Sequence, residues 1–515
     1  MSRTPLRIGA AVVAAAAAAV AFTPPVLAGP NACDTRVNNT HAKLLECITL
    51  DGVMEHQQAL QDIADANNGT RVSGSPGYDE SVEYVVERLE KAGYTPEVQE
   101  FTFQTFISLS PPVLERVSPP PAGSVSTSIL SYSGSGDVTA AVTALPAPPA
   151  DATPGCEASD FATFSAGNIA LISRGSCTFA IKATNAYNAG ASAVIIYNNA
   201  PGVINGTLGN DFTLDIPVLA VTQADGAALA STAGLTMRVQ TDTFRGQATT
   251  SNVIAQTSGN TDNVVVAGAH LDSVNAGPGI NDNGSGSSSL LEVAEQMAKV
   301  KPVNAVRFAW WGAEEASLVG STYYVNSLTA EEKEQIALYL NFDMVGSPNY
   351  VFFVYDGDDS DAIGAGPGPA GSAEIEKTFE AFYSQRGIPF KGTDFSGRSD
   401  YGPFIAAGIP SGGLFTGAEG IKTAEEESIW GGTAGIAYDP CYHQACDDID
   451  NLSSKALDVN SDAIGFAVLQ YAMSTVDVNG KPGKGNFPPA QPTDKPRPST
   501  SLQSGHADGH ELEVE

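Results

Sequence analysis

Five side chains in this chain have the types that a metal-dependent hydrolase uses: His270, Asp282, Glu315, Asp343 and His443. Zinc takes nitrogen from histidine and oxygen from aspartate or glutamate, and a hydrolytic pair of zinc ions needs about five such ligands with one carboxylate shared. Any one of the five alone reads more simply as a hydrogen-bonded core or surface residue. Together, each near the end of a buried strand or in a loop beside one, they point to metal-assisted hydrolysis.

The elements that must hold these residues centre on 263–315. Two apolar runs, 264–269 and 306–311, are too short and too rich in β-branched or aromatic residues for helices, and read as buried parallel strands. Between them, Leu290, Leu291, Val293, Ala294 and Met297 fall at helical spacing over 287–300. Ligands of an open α/β sheet gather beyond the carboxyl ends of its strands, and His270, Asp272, Glu314 and Glu315 fall there. Further on, strand 336–342 runs into Asp343, and strands are predicted at 350–355 and 412–415 and a helix at 373–386. His443 lies in the loop DPCYHQACDD, and a helix follows over 454–473. Upstream, helices at 56–67 and 78–92, the second closed by Gly93, precede a strand at 95–103 and show no chemistry.

The whole chain has 515 residues, too many for one ordinary core, so at least two domains are expected. With 26 Lys and Arg against 58 Asp and Glu, the net charge of −32 repels nucleic acid and anionic membranes, and neither is expected as a partner. Residues 1–28 read as a cleaved secretory signal peptide, with Arg3 and Arg7 ahead of an apolar run at 10–22 that is short for a membrane span. The protein is therefore expected to be extracellular. In an oxidising compartment its six cysteines, close pairs without CxxC spacing, predict local bridges Cys33–Cys47, Cys156–Cys177 and Cys441–Cys446. Pro111, Pro112 and Pro119 to Pro121 mark a linker, after which 125–240 is rich in Gly, Ala and short β runs. A strand at 251–255 resumes the first domain, which is thus discontinuous, 34–120 and 245–478. Residues 481–515 have almost no large apolar side chains and read as a disordered tail.

Within the insert, Arg174-Gly175-Ser176-Cys177-Thr178-Phe179 and the later Gly190-Ala191 resemble the protease-associated domain, a small β-rich insert of several peptidase families. It has no nucleophile or metal constellation, and substrate access or interaction is expected of it. The segments AHLDS, GINDNGSG, WWGAEE, NFDMVG, GRSDYGPF and PCYHQACDD resemble the co-catalytic di-zinc exopeptidases, whose best-known secreted members are bacterial leucine aminopeptidases. That resemblance implies an α/β fold with a mixed, mainly parallel sheet flanked by helices, and two zinc ions per subunit. Asp282 would bridge them, with His270 and Asp343 on one and His443 and Glu315 on the other.

Glu314, its neighbour being tied to a metal, would be the general base, carrying a proton from the attacking water to the leaving amine. Asp272 would orient a histidine ligand, and Tyr442 would donate to the oxyanion. Arg398 would brace the site or serve as a structural ion-pair partner. Met344 and Phe415 resemble pocket positions for a large apolar first side chain such as Leu. Substrates would be peptides or proteins with a free amino terminus, and the enzyme a monomer. A carboxypeptidase or glutaminyl cyclase of the same clan, and a binding module without metal, stand as the alternatives. Asp447, Asp448 and Asp450 offer oxygens to a structural calcium, with a solvated acidic loop as the plainer reading.

Overall fold

Strand Asn260–His270 lies at the middle of the sheet in the computed structural model, which describes residues 30–480 except 201, 203, 205 and 365. The expected signal peptide and tail lie outside the described residues. Both faces of this strand are covered, as its continuous apolar sequence requires. Val265, Ala267 and Ala269 pack in one core with Leu290, Val293, Leu457 and Ile464, while Val264 and Val266 pack on the other face with Tyr324, Val325 and Phe404.

Asn304–Trp311 runs parallel on one side of this strand and Ile336–Phe342 parallel on the other. Ser411–Phe415 adds parallel to Ile336–Phe342, then Phe353–Tyr355 antiparallel and Lys391–Thr393 at the edge. Helices Leu50–Ala66, Pro76–Ala92, Gly286–Met297 and Ser454–Met473 contribute to the first core. The expected mixed sheet flanked by helices is present. No described helix is both long and apolar enough to cross a membrane.

The second unit hangs on a ribbon. Glu97–Ser118 and Thr236–Gln256 pair antiparallel from Glu97 opposite Ile254 to Ser118 opposite Thr236. At one end Val253 to Gln256 pair with Arg307 to Trp310, and at the other Thr236 to Thr241 pair with Gly136–Ala144. Ile169–Ser173, Ala193–Tyr197 and Val218–Val221 continue that sheet in parallel, with helix Phe179–Asn188 crossing between the first two. Here the linker expectation is corrected. Pro111 and Pro112 sit inside the ribbon strand, at the register shift between Ser110 and Val113, where the ladder is already irregular and a missing N–H is tolerated. Pro119 to Pro121 form the turn after it, before Gly123–Ser124 pairs back on Glu115 and Arg116. The pairs Cys33–Cys47, Cys156–Cys177 and Cys441–Cys446 are disulfide-bonded.

Candidate metal centre

The strands deliver three of the five residues directly. His270 ends its strand, Asp343 follows Phe342, and Glu315 follows Trp311 through Ala313, whose positive φ of 54° turns the chain. Asp282 comes from the tight turn 278–285 that enters helix Gly286–Met297. Glycine is required at both ends of this turn: a Cβ on Gly279 would strike Ser273 and the Asp282 carbonyl, and one on Gly286 would strike the Phe342 carbonyl. Asn283 fastens the turn to the neighbouring strand, donating to the Phe342 carbonyl at 2.9 Å and accepting the Met344 N–H at 3.1 Å. His443 is held in a six-residue loop closed by the Cys441–Cys446 bridge.

The five side chains converge. His270 Nε2 lies 3.3 Å from Asp282 Oδ1 and 3.4 Å from Asp343 Oδ1, and His443 Nε2 lies 3.1 Å from both Asp282 Oδ2 and Glu315 Oε2. The two Asp282 oxygens thus face two different imidazoles. His270 Nδ1 faces the main-chain carbonyl of Asp272 at 3.2 Å, and a carbonyl can only accept. In the neutral ring the proton therefore sits on Nδ1, and Nε2 turns a lone pair toward two carboxylates. Lone pairs facing anions in a buried site repel unless a cation, a proton or a metal ion, lies between them; burial pulls His270 down, but Asp343 and Glu314 outweigh it and hold the ring well above its ordinary range. Glu315 Oε1 and Asp343 Oδ1 are buried and accept no hydrogen bond from the described residues. This donor set fits two cations sharing Asp282.

Without cations the site is short of positive charge. Burial pulls the His443 imidazole down, but Glu315 and Asp282 outweigh it and hold the ring up at about 10. Burial pushes Glu314 well above the usual carboxylate range; His270 opposes this, and Glu315, Asp400 and Asp343 add to it. Asp400, buried in the same region, is likewise pushed up to about 7, chiefly by burial.

Outer groups hold this arrangement. Ser399 Oγ donates to Asp343 Oδ2 at 2.5 Å and accepts from Asn341 Nδ2 at 2.8 Å. Asn341 Oδ1 accepts from the Tyr339 hydroxyl at 2.9 Å, which accepts from Trp311 Nε1 at 2.9 Å. Asp447 accepts the N–H groups of Asn281 and Asp282 at 2.8 and 3.0 Å. Fully buried Arg71 donates to the carbonyls of Leu271, Pro278 and Gly279 and so ties the His270 and Asp282 segments together.

The remaining expected residues fall as follows. The ring of His270 is bonded by the carbonyl of Asp272 rather than by its carboxylate, which stands 3.6 Å away and accepts the Glu314 N–H at 3.2 Å. Glu314 is buried, with Oε2 3.9 Å from His270 Nε2. Tyr442 stacks on His443 with ring centroids 3.9 Å apart and packs with Met344, Ala418 and Phe415 in a small apolar cluster. Arg398 pairs with Glu419 at 3.1 Å. Asp447 serves the 281–282 backbone, and Asp448 accepts the Asp450 N–H at 3.0 Å, so the three aspartates expected at a calcium form no metal-sized cluster among the described residues. Arg71, Asn341 and Ser399 carry no site role in the sequence reading, and Asp447 enters it only as a calcium ligand. Ser399 lies in the quoted motif GRSDYGPF and Asp447 in PCYHQACDD, but Arg71 lies in a stretch with no signal.

Residues 252–468 match the model of peptidase family M28, and 138–229 match that of the PA domain. An aminopeptidase of Pseudomonas aeruginosa is 47% identical over 491 residues, covering 91% of this chain and 90% of the relative. Leucine aminopeptidase 2 of Arthroderma otae is 42% identical, covering 83% and 85%. Among solved structures, an aminopeptidase from Aneurinibacillus sp. strain AM-1 superposes with a TM-score of 0.60 at 29% identity, covering 89% of this chain and all of that one. BSAP, a zinc aminopeptidase from Bacillus subtilis, gives 0.60 at 26% identity, covering 82% and 95%.

Proposed function

The chain belongs to peptidase family M28, and from that premise we propose that it is a secreted aminopeptidase dependent on two zinc ions, removing amino-terminal residues from peptides and proteins. The observation that carries this reading is the split of the Asp282 carboxylate between His270 and His443, each backed by its own second carboxylate, Asp343 or Glu315. One ion would be held by His270, Asp343 and Asp282, the other by His443, Glu315 and Asp282. Bound there, the pair supplies Lewis-acid polarisation of the scissile carbonyl and lowers the pKa of the attacking water toward neutrality.

The residues of the chain do the rest. Glu314 is not engaged by either histidine at bonding distance, and its main chain is fixed by the Asp272 carboxylate. It takes the proton of the attacking water and delivers it to the leaving amine. Burial, Asp282 and Glu315 push the Tyr442 hydroxyl well above its ordinary range, so it stays protonated and donates to the oxyanion. Met344, Phe415, Ala418 and Tyr442 form the apolar surface for the first side chain and favour residues such as Leu. The excess of buried carboxylates draws the α-ammonium of a free amino terminus. A carboxypeptidase needs a free cation for the terminal carboxylate, and Arg398 is already paired with Glu419. Three disulfides suit an oxidising compartment outside the cell.

Metal analysis of the purified protein, with hydrolysis of leucyl anilide and of peptides with free or acetylated amino termini, tests the reading. About two zinc per chain, loss of turnover on chelation and no cleavage of acetylated peptides are expected. Glu314→Gln should keep its metal and lose about 10²–10⁴-fold in kcat. An absence of transition metal, or equal cleavage of acetylated peptides, sinks the proposal.

A further inference from the structure

The cavity holding Glu314, Glu315, Arg398 and His443 has a volume of about 1020 Å³. Ligand sites run to roughly 300–1,000 Å³, so this one is large, and one amino-acid side chain would not fill it. The apolar cluster of Met344, Phe415, Ala418 and Tyr442 is not part of its lining. Its far wall belongs to the inserted domain: residues 126–129, Ser131 and Tyr132 line it, and Ser108, Pro111 and Pro112 of the ribbon line the stretch between. The ribbon, with register shifts between Ser108 and Val113, joins this wall to the sheet that carries the catalytic residues.

Charge is distributed unevenly around it. Among the described lining residues the cationic or imidazole side chains are Arg398 and His443, both at the catalytic end. The lining also includes Asp65 and Asp448, and the inserted domain presents hydroxyl and aliphatic groups without charge. A dipeptide would bring its carboxylate to rest just past the scissile bond, among buried acids and beside an arginine already paired. A longer peptide carries that carboxylate out of the acidic region and lays neutral main chain along the wall.

Resting on the aminopeptidase reading, we propose that this cavity binds the residues downstream of the scissile bond, that the inserted domain is its wall, and that the preferred substrates are oligopeptides and polypeptide amino termini with neutral or basic downstream residues. The first side chain is read by the apolar cluster on one side of the catalytic residues. Chain length and downstream charge are read by the cavity on the other.

The test uses the full-length protein loaded with zinc, leucyl anilide as reference, and a series from Leu-Ala to Leu-Ala-Ala-Ala-Ala, with Lys or Glu placed at the fourth position in parallel peptides. Efficiency (kcat/KM) should rise about tenfold or more from dipeptide to pentapeptide, equivalent to about 1.4 kcal/mol, and Lys should be preferred over Glu. Ser126 and Asp65 are both exposed, and Asp65 accepts one bond, from Gln61 Nε2 at 2.8 Å, so Tm and the anilide rate of each variant are measured as controls. Ser126→Trp should lower the pentapeptide-to-anilide ratio, and Asp65→Lys should reverse the Lys-over-Glu preference. A flat length series on an enzyme that turns over the anilide overturns this inference alone, as does a Ser126→Trp ratio equal to wild type. Failure to hydrolyse the anilide overturns the aminopeptidase reading and this one with it.

Discussion

Replacing Ser399 by Ala removes one hydroxyl and tests whether the chain of hydrogen bonds from Trp311 to Asp343 orients a metal ligand. Ser399 Oγ is the donor to Asp343 Oδ2, at 2.5 Å, and leaves Oδ1 facing His270. A hydrogen bond to a charged group contributes about 1.5–3 kcal/mol, which converts to roughly 10–150-fold in a dissociation constant. Outer-shell partners of metal ligands typically carry about 10–100-fold, so the two estimates agree. The loss should fall on one ion. In a competition titration of metal-free protein against a chromophoric chelator, the step belonging to His270 and Asp343 should weaken by about 10–100-fold. The step belonging to His443 and Glu315, which Ser399 does not touch, should stay near wild type. Turnover of leucyl anilide should fall at limiting zinc and recover at high zinc, and Ser399→Thr, which keeps the hydroxyl, should restore both. Two wild-type steps in Ser399→Ala, or equal weakening of both, would refute the claim that this hydroxyl positions Asp343.

Glu292 is nearly fully buried and accepts the Thr49 N–H at 3.1 Å; burial, more than its neighbour Glu295, pushes it from 4.5 up to about 7. Its folded pKa is raised, so the folded state keeps a proton the unfolded chain releases. Its contribution to stability is then complete below pH 4.5 and is lost as pH rises to about 7, on the order of 3 kcal/mol in all. Glu292→Gln should therefore gain thermal stability over wild type at pH 8 but not at pH 4, and a constant gap in Tm would count against this. Cys441→Ser with Cys446→Ser opens a short loop worth about 2 kcal/mol in chain entropy. Because that loop carries His443 and Tyr442, anilide turnover should drop far more than Tm; a proportionate fall in both would mean the bridge only stabilises the fold. Arg71→Met strands three buried carbonyls at about 1–3 kcal/mol each, enough to consume most of a marginal stability. Poor soluble yield and a Tm lowered by more than any single ligand substitution are expected, and an unchanged Tm would show that water can replace the guanidinium.

What the sequence discloses and what it hides follow from the range of the interactions involved. His270 and Asp343 were legible because a buried parallel strand is a short apolar run, and the first polar residue after it must emerge at the carboxyl edge. Helix Ser454–Met473 was legible to its ends because Ser453 caps the Ala456 N–H locally. Of the ribbon only the stretches 95–103 and 251–255 were legible: prolines argue against a strand further on, and through Pro111 and Pro112 Glu97–Ser118 is held extended by a partner more than a hundred residues away. Arg71 gave no signal because its partners are main-chain carbonyls some 200 residues on, which carry no sequence identity. Ser399 reaches Asp343 across a separation of 56 residues, and a lone serine between charged residues reads as a turn.

The strand order explains why this one edge of the sheet can hold so many buried acids. From His270 the chain crosses through helix Gly286–Met297 to Asn304–Trp311 on one side, then passes back to Ile336–Phe342 on the other. The two crossings leave in opposite directions, which opens a crevice at the carboxyl end of the central strand. Into that crevice three strands release His270, Glu314 with Glu315, and Asp343, while the first crossing supplies Asp282. Carboxylates packed this closely repel one another, and the fold answers with fixed donors that cannot drift. The N–H groups of Asn281 and Asp282 are spent on Asp447, the N–H of Glu314 on Asp272, and the Ser399 hydroxyl on Asp343. Each outer bond uses up one oxygen or fixes one main-chain segment, so that the inner oxygens of Asp282, Glu315 and Asp343 are left pointing at the two imidazoles. The same outer bonds that fix these segments therefore also set the positions at which the proposed metal ions would be held.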